Sequence, residues 1–136
     1  MEKKSGKYWN SASLTKQEGY ATITGSSTGA LSHFIAPYKV KIIKCSISVD
    51  SAITGAVTDN CILGFNKYKS GGTSIGSIAS KTFSSGVDAT AYAETDLGAL
   101  TNNVLAEGDV VVFAKTVNGG GATMPALLAK IEYVRV

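Results

Sequence analysis

Charged side chains are scarce in this chain, and the scarcity limits its possible partners. They make up 17% of the 136 residues, against roughly 25% in an average soluble domain. The net charge is +3, with much of the positive excess in Lys3, Lys4, Lys7 and Lys16, and the only arginine is Arg135. A nucleic-acid-binding domain carries a clustered basic face with stacking aromatic residues. The scattered lysines therefore argue against nucleic acid as a partner.

Residues that carry out chemistry are equally few. His33 is the only histidine, has no second histidine or cysteine at ligand spacing, and is predicted to be an edge or surface residue. The sequence contains no Gly-x-Ser-x-Gly, His-Glu-x-x-His or Cys-x-x-Cys motif. Glu94, Asp96 and Asp88 could offer oxygen ligands to Ca²⁺, but their spacing matches no calcium-binding loop. We therefore predict no enzyme activity, no metal site and no cofactor.

Long apolar runs are also missing. No run approaches the roughly 20 residues of a membrane span, so we expect no membrane partner. The opening MEKKSGKYWNSAS has charge but no apolar core of a signal peptide, which predicts synthesis in a reducing cytoplasm. Cys45 and Cys61 lie inside apolar strand patterns, and either a disulfide or two buried thiols would fit them. Buried thiols are favoured, since free cysteine behaves as a small hydrophobic residue.

The clearest pattern in the chain is the alternation of apolar and polar residues. The longest example is Phe34–Asp50, FIAPYKVKIIKCSISVD, in which apolar and polar residues alternate as in a strand with one buried face. The alternation changes phase at Ile42–Ile43. Because a one-residue slip moves every later side chain to the other face of the sheet, we predict a β-bulge there.

The remaining strand patterns define the fold class. Turn signals recur about every 8–12 residues, which is typical of a sandwich or barrel. We predict a single-domain, all-β antiparallel sandwich of about eight strands over residues 19–136, preceded by an N-terminal arm over residues 1–18. Its first strand is expected at Tyr20–Thr24. The long strand within Phe34–Asp50 is expected to pair with Asn60–Tyr68 and with Val110–Val117, a strand whose two faces are both apolar.

Three segments of the sequence, spread over roughly Ala30 to Val136, resemble a known family. They are the entry HFIAPYKVKIIKCSISVDSAITG, the strand and glycine turn ILGFNKYKSGGTSI, and the closing LAEGDVVVFAKTVNGGGATMPALLAKIEYV. In this order they resemble small jelly-roll virion proteins of tailed bacteriophages, of the capsid decoration (cement) or head-fibre type.

The resemblance implies a jelly-roll sandwich, a homo-oligomer with a trimer favoured, and the major capsid protein as partner. It implies a location on the capsid surface of the virion after synthesis in the host cytoplasm, where the protein would hold neighbouring capsomers together. Residues 1–18 would then form an arm on the shell. The candidate contacts to the capsid or to other subunits are Lys3, Lys4, Lys7, Tyr8 and Trp9, although Trp9 could equally pack on its own domain.

Two other functions stay open at this point. The chain could be a receptor- or glycan-binding domain of a phage fibre or spike, with Tyr38, Tyr68 and Tyr92 as candidates for stacking on sugar rings. All three lie in or beside predicted strands, which counts against this reading. A secreted carbohydrate-binding module is the third possibility, disfavoured because no signal peptide is visible.

Overall fold

A computed structural model describes residues 12–136 and confirms the all-β class. No helix occurs among these residues, and two antiparallel sheets pack into a sandwich. The strands are β1 (Ser13–Tyr20), β2 (Gly29–Ile35), β3 (Val40–Val49), β4 (Asn60–Tyr68), β5 (Ser74–Thr82), β6 (Glu94–Asp96), β7 (Val104–Leu105), β8 (Val110–Asn118) and β9 (Leu127–Arg135).

The strand order is that of a jelly roll. One sheet runs β1-β9-β3-β6 and the other runs β2-β8-β4-β5, while the two-residue β7 pairs with β3 beside this path. Leaving β7 aside, the first strand pairs with the last (β1 with β9), the second with the next to last (β2 with β8), and so on inward to β4 with β5. This nesting is what results when one long hairpin rolls up into two sheets, the arrangement called a jelly roll.

The predicted bulge in β3 is confirmed. The pairing of β3 with β9 shifts register between Ile42 and Lys44, which leaves Ile43 unpaired and exposed. Beyond the shift, Cys45 and Ile47 are buried, as is Ile42 before it. The bulge thus lets both halves of a strand whose pattern changes phase point their apolar side chains into one core.

The predicted partners of this long strand are wrong. β3 pairs with β9, β6 and β7, whereas Asn60–Tyr68 (β4) and the strand containing Val110–Val117 (β8) lie together in the other sheet. The chain between β3 and β4 crosses from one sheet to the other. β3 and β4, although consecutive in the sequence, therefore lie in opposite sheets and share no ladder of hydrogen bonds.

The first strand also begins earlier than predicted. It is Ser13–Tyr20, paired along its whole length with β9, so residues 13–18 of the predicted arm belong to the sheet. Of the predicted strand at Tyr20–Thr24, only an isolated bridge between Ile23 and Met124 forms outside β1. Most of β1 is exposed because it is an edge strand, and an edge strand shows little apolar alternation in its sequence.

Both cysteines are buried free thiols, as favoured from the sequence. Cys45 lies on β3 and Cys61 on β4, so they belong to opposite sheets. Burial raises the pKa of Cys45 to about 12, with a smaller contribution from the nearby Asp96. Neither thiol is therefore disposed to react at neutral pH.

His33 lies on the edge strand β2, in agreement with one part of its prediction, but the surface part is wrong, because its side chain is only 4% exposed. His33 has the same parity as Leu31, which pairs with the core residue Phe113, so alternation points it into the sandwich. The register shift between Ser32 and Phe34 then lets Phe34 point inward as well. There Tyr20 donates its hydroxyl hydrogen to Nδ1 of His33 at 2.8 Å, and Nε2 donates to the Lys16 carbonyl at 3.1 Å. With the imidazole neutral, both ring nitrogens are satisfied by these two bonds.

The histidine belongs to an aromatic cluster that joins the two sheets. Its ring lies edge-on to Phe65 of β4 at 4.9 Å between centroids, and Tyr20 of β1 stacks on Phe113 of β8 at 5.0 Å. Phe65 and Phe113 lie 5.1 Å apart. We call these four residues the aromatic cluster.

We predict that the protein loses stability in mild acid through His33. Burial lowers the pKa of this histidine; Lys16 also contributes to the lowering, while the hydrogen bond to the Lys16 carbonyl and the charge of Glu18 oppose it. Below the ordinary pKa of about 6.5 the unfolded chain takes up a proton that the folded chain does not, so the free energy of unfolding falls with decreasing pH, by up to about 1.4 kcal/mol per pH unit. Denaturant unfolding between pH 5.0 and 6.5 measures this slope.

The matched variant is His33→Asn, which removes the only histidine of the chain. It should be less stable at pH 7, with the slope between pH 5.0 and 6.5 abolished. The Glu94 carboxylate does not contribute to this slope, since its pKa is held at about 2, chiefly by its hydrogen bond from Ser46. An unchanged slope in the variant would contradict this role for His33.

Candidate interaction surface

The outer face of the β2-β8-β4-β5 sheet carries no charged side chain. Alternation along each strand, combined with the register of each pair, identifies the residues that point away from the core. All of them are small, hydroxyl-bearing, amide or apolar residues. We call them the uncharged face: Ala30, Ser32, Ile35, Ile62, Gly64, Asn66, Tyr68, Ser77, Ser80, Thr82, Val110, Val112, Ala114 and Thr116.

The three lysines of this sheet all occupy positions that pair with core residues. Lys67 is opposite the buried Val111, while Lys81 and Lys115 are both opposite the buried Leu63. Lys115 is itself buried, and its Nζ donates to the carbonyls of the β1–β2 loop at 2.7 and 2.6 Å. The sheet's positive charge is thus directed inward or to the ends of the sandwich.

A shallow recess of about 210 Å³ lies in the middle of the uncharged face. Gly64 forms its floor, with Ile62, Asn66 and Ala114 among its walls. A Cβ atom on Gly64 would come within 2.5 Å of the Ala79 carbonyl oxygen, because β5 passes very close to β4 at this point. The absence of a side chain here both permits the strand pairing and leaves the recess open.

The uncharged face continues onto an apolar edge. β2 is the outer strand of its sheet, and Leu31 and Ile35 on it are 52% and 64% exposed. Beside them a groove of about 530 Å³ runs between β2 and β1, lined in part by Lys16 and Glu18. Ile35 belongs to the uncharged face and also lines this groove, so it lies where the face meets a charged edge.

The outer face of the other sheet is different, because charged residues pair across its strands. The Glu94 carboxylate lies 2.9 Å from Lys130 Nζ and 3.4 Å from Lys44 Nζ, and Lys130 is also 3.3 Å from Glu132. Ser46 donates its hydroxyl hydrogen to Glu94 at 2.6 Å. That bond, followed by the hydrogen bonds from Lys130 and Lys44, holds the Glu94 pKa at about 2.

A second, smaller recess of about 160 Å³ lies on this charged face and is lined by Gln17, Ser48, Glu94 and Lys130 together with apolar residues. Two positions before Glu94, Tyr92 is 80% exposed. Its φ of 60° is in the left-handed region that non-glycine residues seldom adopt. The chain thus holds one aromatic ring in solvent close in sequence to a polar recess.

Within residues 12–136, no three histidine, cysteine or acidic side chains gather in a way that could hold a metal ion. The same residues contain no helix long and apolar enough to cross a membrane.

The five contact residues predicted from sequence, Lys3, Lys4, Lys7, Tyr8 and Trp9, lie outside the described residues. They precede Ser13, the first residue of β1, by four or more positions. The uncharged face was missed at the sequence level. Its signal was present in the alternate residues of β4 and β8, whose outward positions hold Ile62, Gly64, Val112 and Ala114 where a solvent-exposed strand would carry charge.

Comparisons with known proteins leave the family open. No protein-family model matches the chain, and no curated protein matches it significantly. Two solved structures of infectious bursal disease virus, of the Gx and Gt strains, align with 91% and 93% of this chain at 11% identity, with TM-scores of 0.36 and 0.28. The chain spans 31% and 36% of the length of those chains. At TM-scores below 0.5 this similarity carries no argument about function.

We predict that Gly64→Ala destabilises the fold through the β4–β5 pair. The added Cβ would meet the Ala79 carbonyl and the backbone of Ser80, both of which are fixed by strand pairing. Overpacking of this kind costs typically about 1–3 kcal/mol. Ala114→Ser, on the neighbouring strand of the same face, is the matched control and should change the free energy of unfolding little. Equal stability of Gly64→Ala and the wild type would show that β5 can move away.

Proposed function

We propose that the protein is a structural virion protein that binds the outer surface of a phage capsid and stabilises contacts between capsomers. The major capsid protein is then its partner, the capsid surface its location, and the host cytoplasm its place of synthesis. It acts by binding, without catalysis or a cofactor.

The observation that carries this proposal is the jelly-roll strand order. The resemblance to phage virion proteins implied that topology from the sequence, and the nested pairing of β1 with β9, β2 with β8, β3 with β6 and β4 with β5 agrees with it. Because jelly rolls also occur in lectins and cupins, topology by itself does not select the function. The resemblance supplies the rest of the argument.

The charge distribution supports the same proposal. Lys3, Lys4 and Lys7 bring positive charge to the segment just before β1, and Tyr8 and Trp9 add residue types enriched in protein interfaces. β1 is the edge strand of its sheet, so the chain enters the sandwich from its side. A basic segment there suits contact with an acidic protein surface, whereas the uncharged face suits contact with neutral surfaces.

We predict that purified protein co-sediments with undecorated capsids and raises their resistance to heat. Binding should saturate at micromolar protein and weaken with salt, because exposed lysines contribute through screened charge interactions. Capsid pelleting with a titration of protein measures the first effect, and release of packaged DNA on heating measures the second. Failure to pellet with capsids at micromolar protein would refute the proposal.

The role of the N-terminal segment needs a deletion that spares the fold. Since β1 begins at Ser13, removal of residues 2–11 keeps the whole strand. This deletion should abolish capsid binding while leaving the melting temperature unchanged. Within the full chain, Tyr8→Ala with Trp9→Ala tests the aromatic anchors, and Lys39→Glu is a control for loss of an exposed lysine elsewhere. Undiminished binding by the deletion variant would remove the segment from the interface.

A second candidate is the receptor- or glycan-binding domain of a phage fibre or spike. The observation that favours it is Tyr92, whose ring is exposed on a constrained backbone in the stretch leading to the polar recess of Gln17, Ser48, Glu94 and Lys130. Sugar sites combine an aromatic face with a few polar groups of fixed position. Tyr68 and Tyr38 fit less well, since both are partly buried and the Tyr38 ring is covered by Arg135 at 4.3 Å.

For this candidate we predict saturable binding on a glycan array that Tyr92→Ala reduces by at least about tenfold, the size expected when one aromatic contact is lost from a small site. Tyr68→Ala is the matched control and should bind as the wild type does. An array without saturable binding would exclude the glycan function and leave the capsid proposal standing.

A further inference from the structure

The uncharged face lacks a partner among residues 12–136, and its composition indicates what could cover it. We propose that this face is covered by neighbouring copies of the same chain, so that the protein is a homo-oligomer assembled through the β2-β8-β4-β5 sheet. Other parts of the molecule would then contact the capsid.

Charge is the first argument for a second copy. All three lysines of the sheet occupy inward or terminal positions, so copies that meet on this face bury no unpaired charge and bring no like charges together. The opposite sheet could not associate in this way. Its outer face carries Lys44, Lys130, Glu94 and Glu132 in mutual contact, and covering it would require desolvation of these ions.

Size is the second argument. Four strands spaced about 4.8 Å apart and about nine residues long present a face of roughly 19 by 30 Å. This is roughly 570 Å², below the roughly 800 Å² that each partner buries in an interface of standard size. The face is therefore large enough for an interface at the small end of the range of specific contacts.

Continuity with the apolar edge is the third argument. Ile35 is exposed on the uncharged face itself, and Leu31 is exposed on the same edge strand, at a position that pairs with the core residue Phe113. Exposed apolar residues that join a larger neutral surface mark interaction sites. The recess above Gly64 is open at the centre of the same face. A neighbouring copy can thus offer apolar side chains at its edge to a recess that accepts them, with both features supplied by one sequence.

This inference deepens the homo-oligomer that accompanies the proposed function, but it can fail separately because oligomeric state is measured without capsids. Sedimentation velocity over a range of concentrations should give an oligomer for the wild type; the resemblance favours a trimer. Ala114→Lys places a charge at the centre of the uncharged face and should weaken self-association by at least about tenfold, since an unpaired charge would have to be buried.

Two further variants make the test specific. Thr116→Lys repeats the change at an exposed position of the same face, in case Ala114→Lys perturbs folding. Thr15→Lys is the matched control on the outer face of the other sheet, where it lies opposite Glu132, and should leave the oligomer intact. Circular dichroism and melting temperature establish that each variant is folded.

Dissociation by both face variants, with the Thr15→Lys control still oligomeric, supports the proposal. A monomeric wild type overturns it, as does an oligomer that survives both lysines. If the wild type is monomeric and Ala114→Lys instead abolishes capsid pelleting, the uncharged face is the capsid contact, so the inference fails while the proposed function stands.

Discussion

The contact between the two sheets at the aromatic cluster is the interaction on which the rest of this structure depends. Tyr20, His33, Phe65 and Phe113 come from four strands, with β1 in one sheet and β2, β4 and β8 in the other. Aromatic pairs at such distances contribute about 0.5–1.5 kcal/mol each beyond the burial of their area. The cluster also closes the side of the sandwich where β1 and β2 are both edge strands without a further partner in their own sheets.

Burial lowers the pKa of His33, so this closure is expected to weaken in acid. Its two nitrogens connect the Tyr20 hydroxyl and the Lys16 carbonyl, so β1 is held to β2 by side-chain bonds and not by a strand ladder. The N-terminal segment enters the sandwich through this same strand. A change in the protonation of His33 would therefore act on the part of the fold from which the proposed capsid arm departs.

The two outer faces divide the molecule into surfaces of different chemistry. One sheet presents linked ion pairs around Glu94, and the other presents the uncharged face with its recess above Gly64. Both sheets share one core and a similar number of residues, so packing does not require this difference. The two proposals, self-association on the uncharged face and capsid contact through the basic segment, would give each surface a separate use.

Periodicity predicted much of the fold. The phase change at Ile42–Ile43 located the bulge in β3, and the spacing of turn signals predicted a sandwich of about eight strands. These features are local: they follow from which side chains must alternate within a few residues.

Other features could not be predicted this way. Which strands pair was wrong for β3, because sequence neighbours in a jelly roll often lie in opposite sheets. β1 was assigned to the arm, since an edge strand has little apolar pattern. His33 was placed at an edge or at the surface; it lies on an edge strand, but contacts with β1 bury its side chain. β4 and β8 each carry uncharged residues at their outward positions, but only the register of four strands from distant parts of the chain shows that these positions form one face.

The sequence by itself determined the all-β class, the buried thiols of Cys45 and Cys61 and the bulge in β3, because each depends on alternation and composition within one segment. Only the tertiary structure decided the strand order, the burial of His33 and the contrast between the two outer faces. These depend on contacts between residues far apart in the chain. Their physical origin is the rolling of one long hairpin, which pairs β1 with β9 and leaves each sheet with one face toward the core and one face toward solvent.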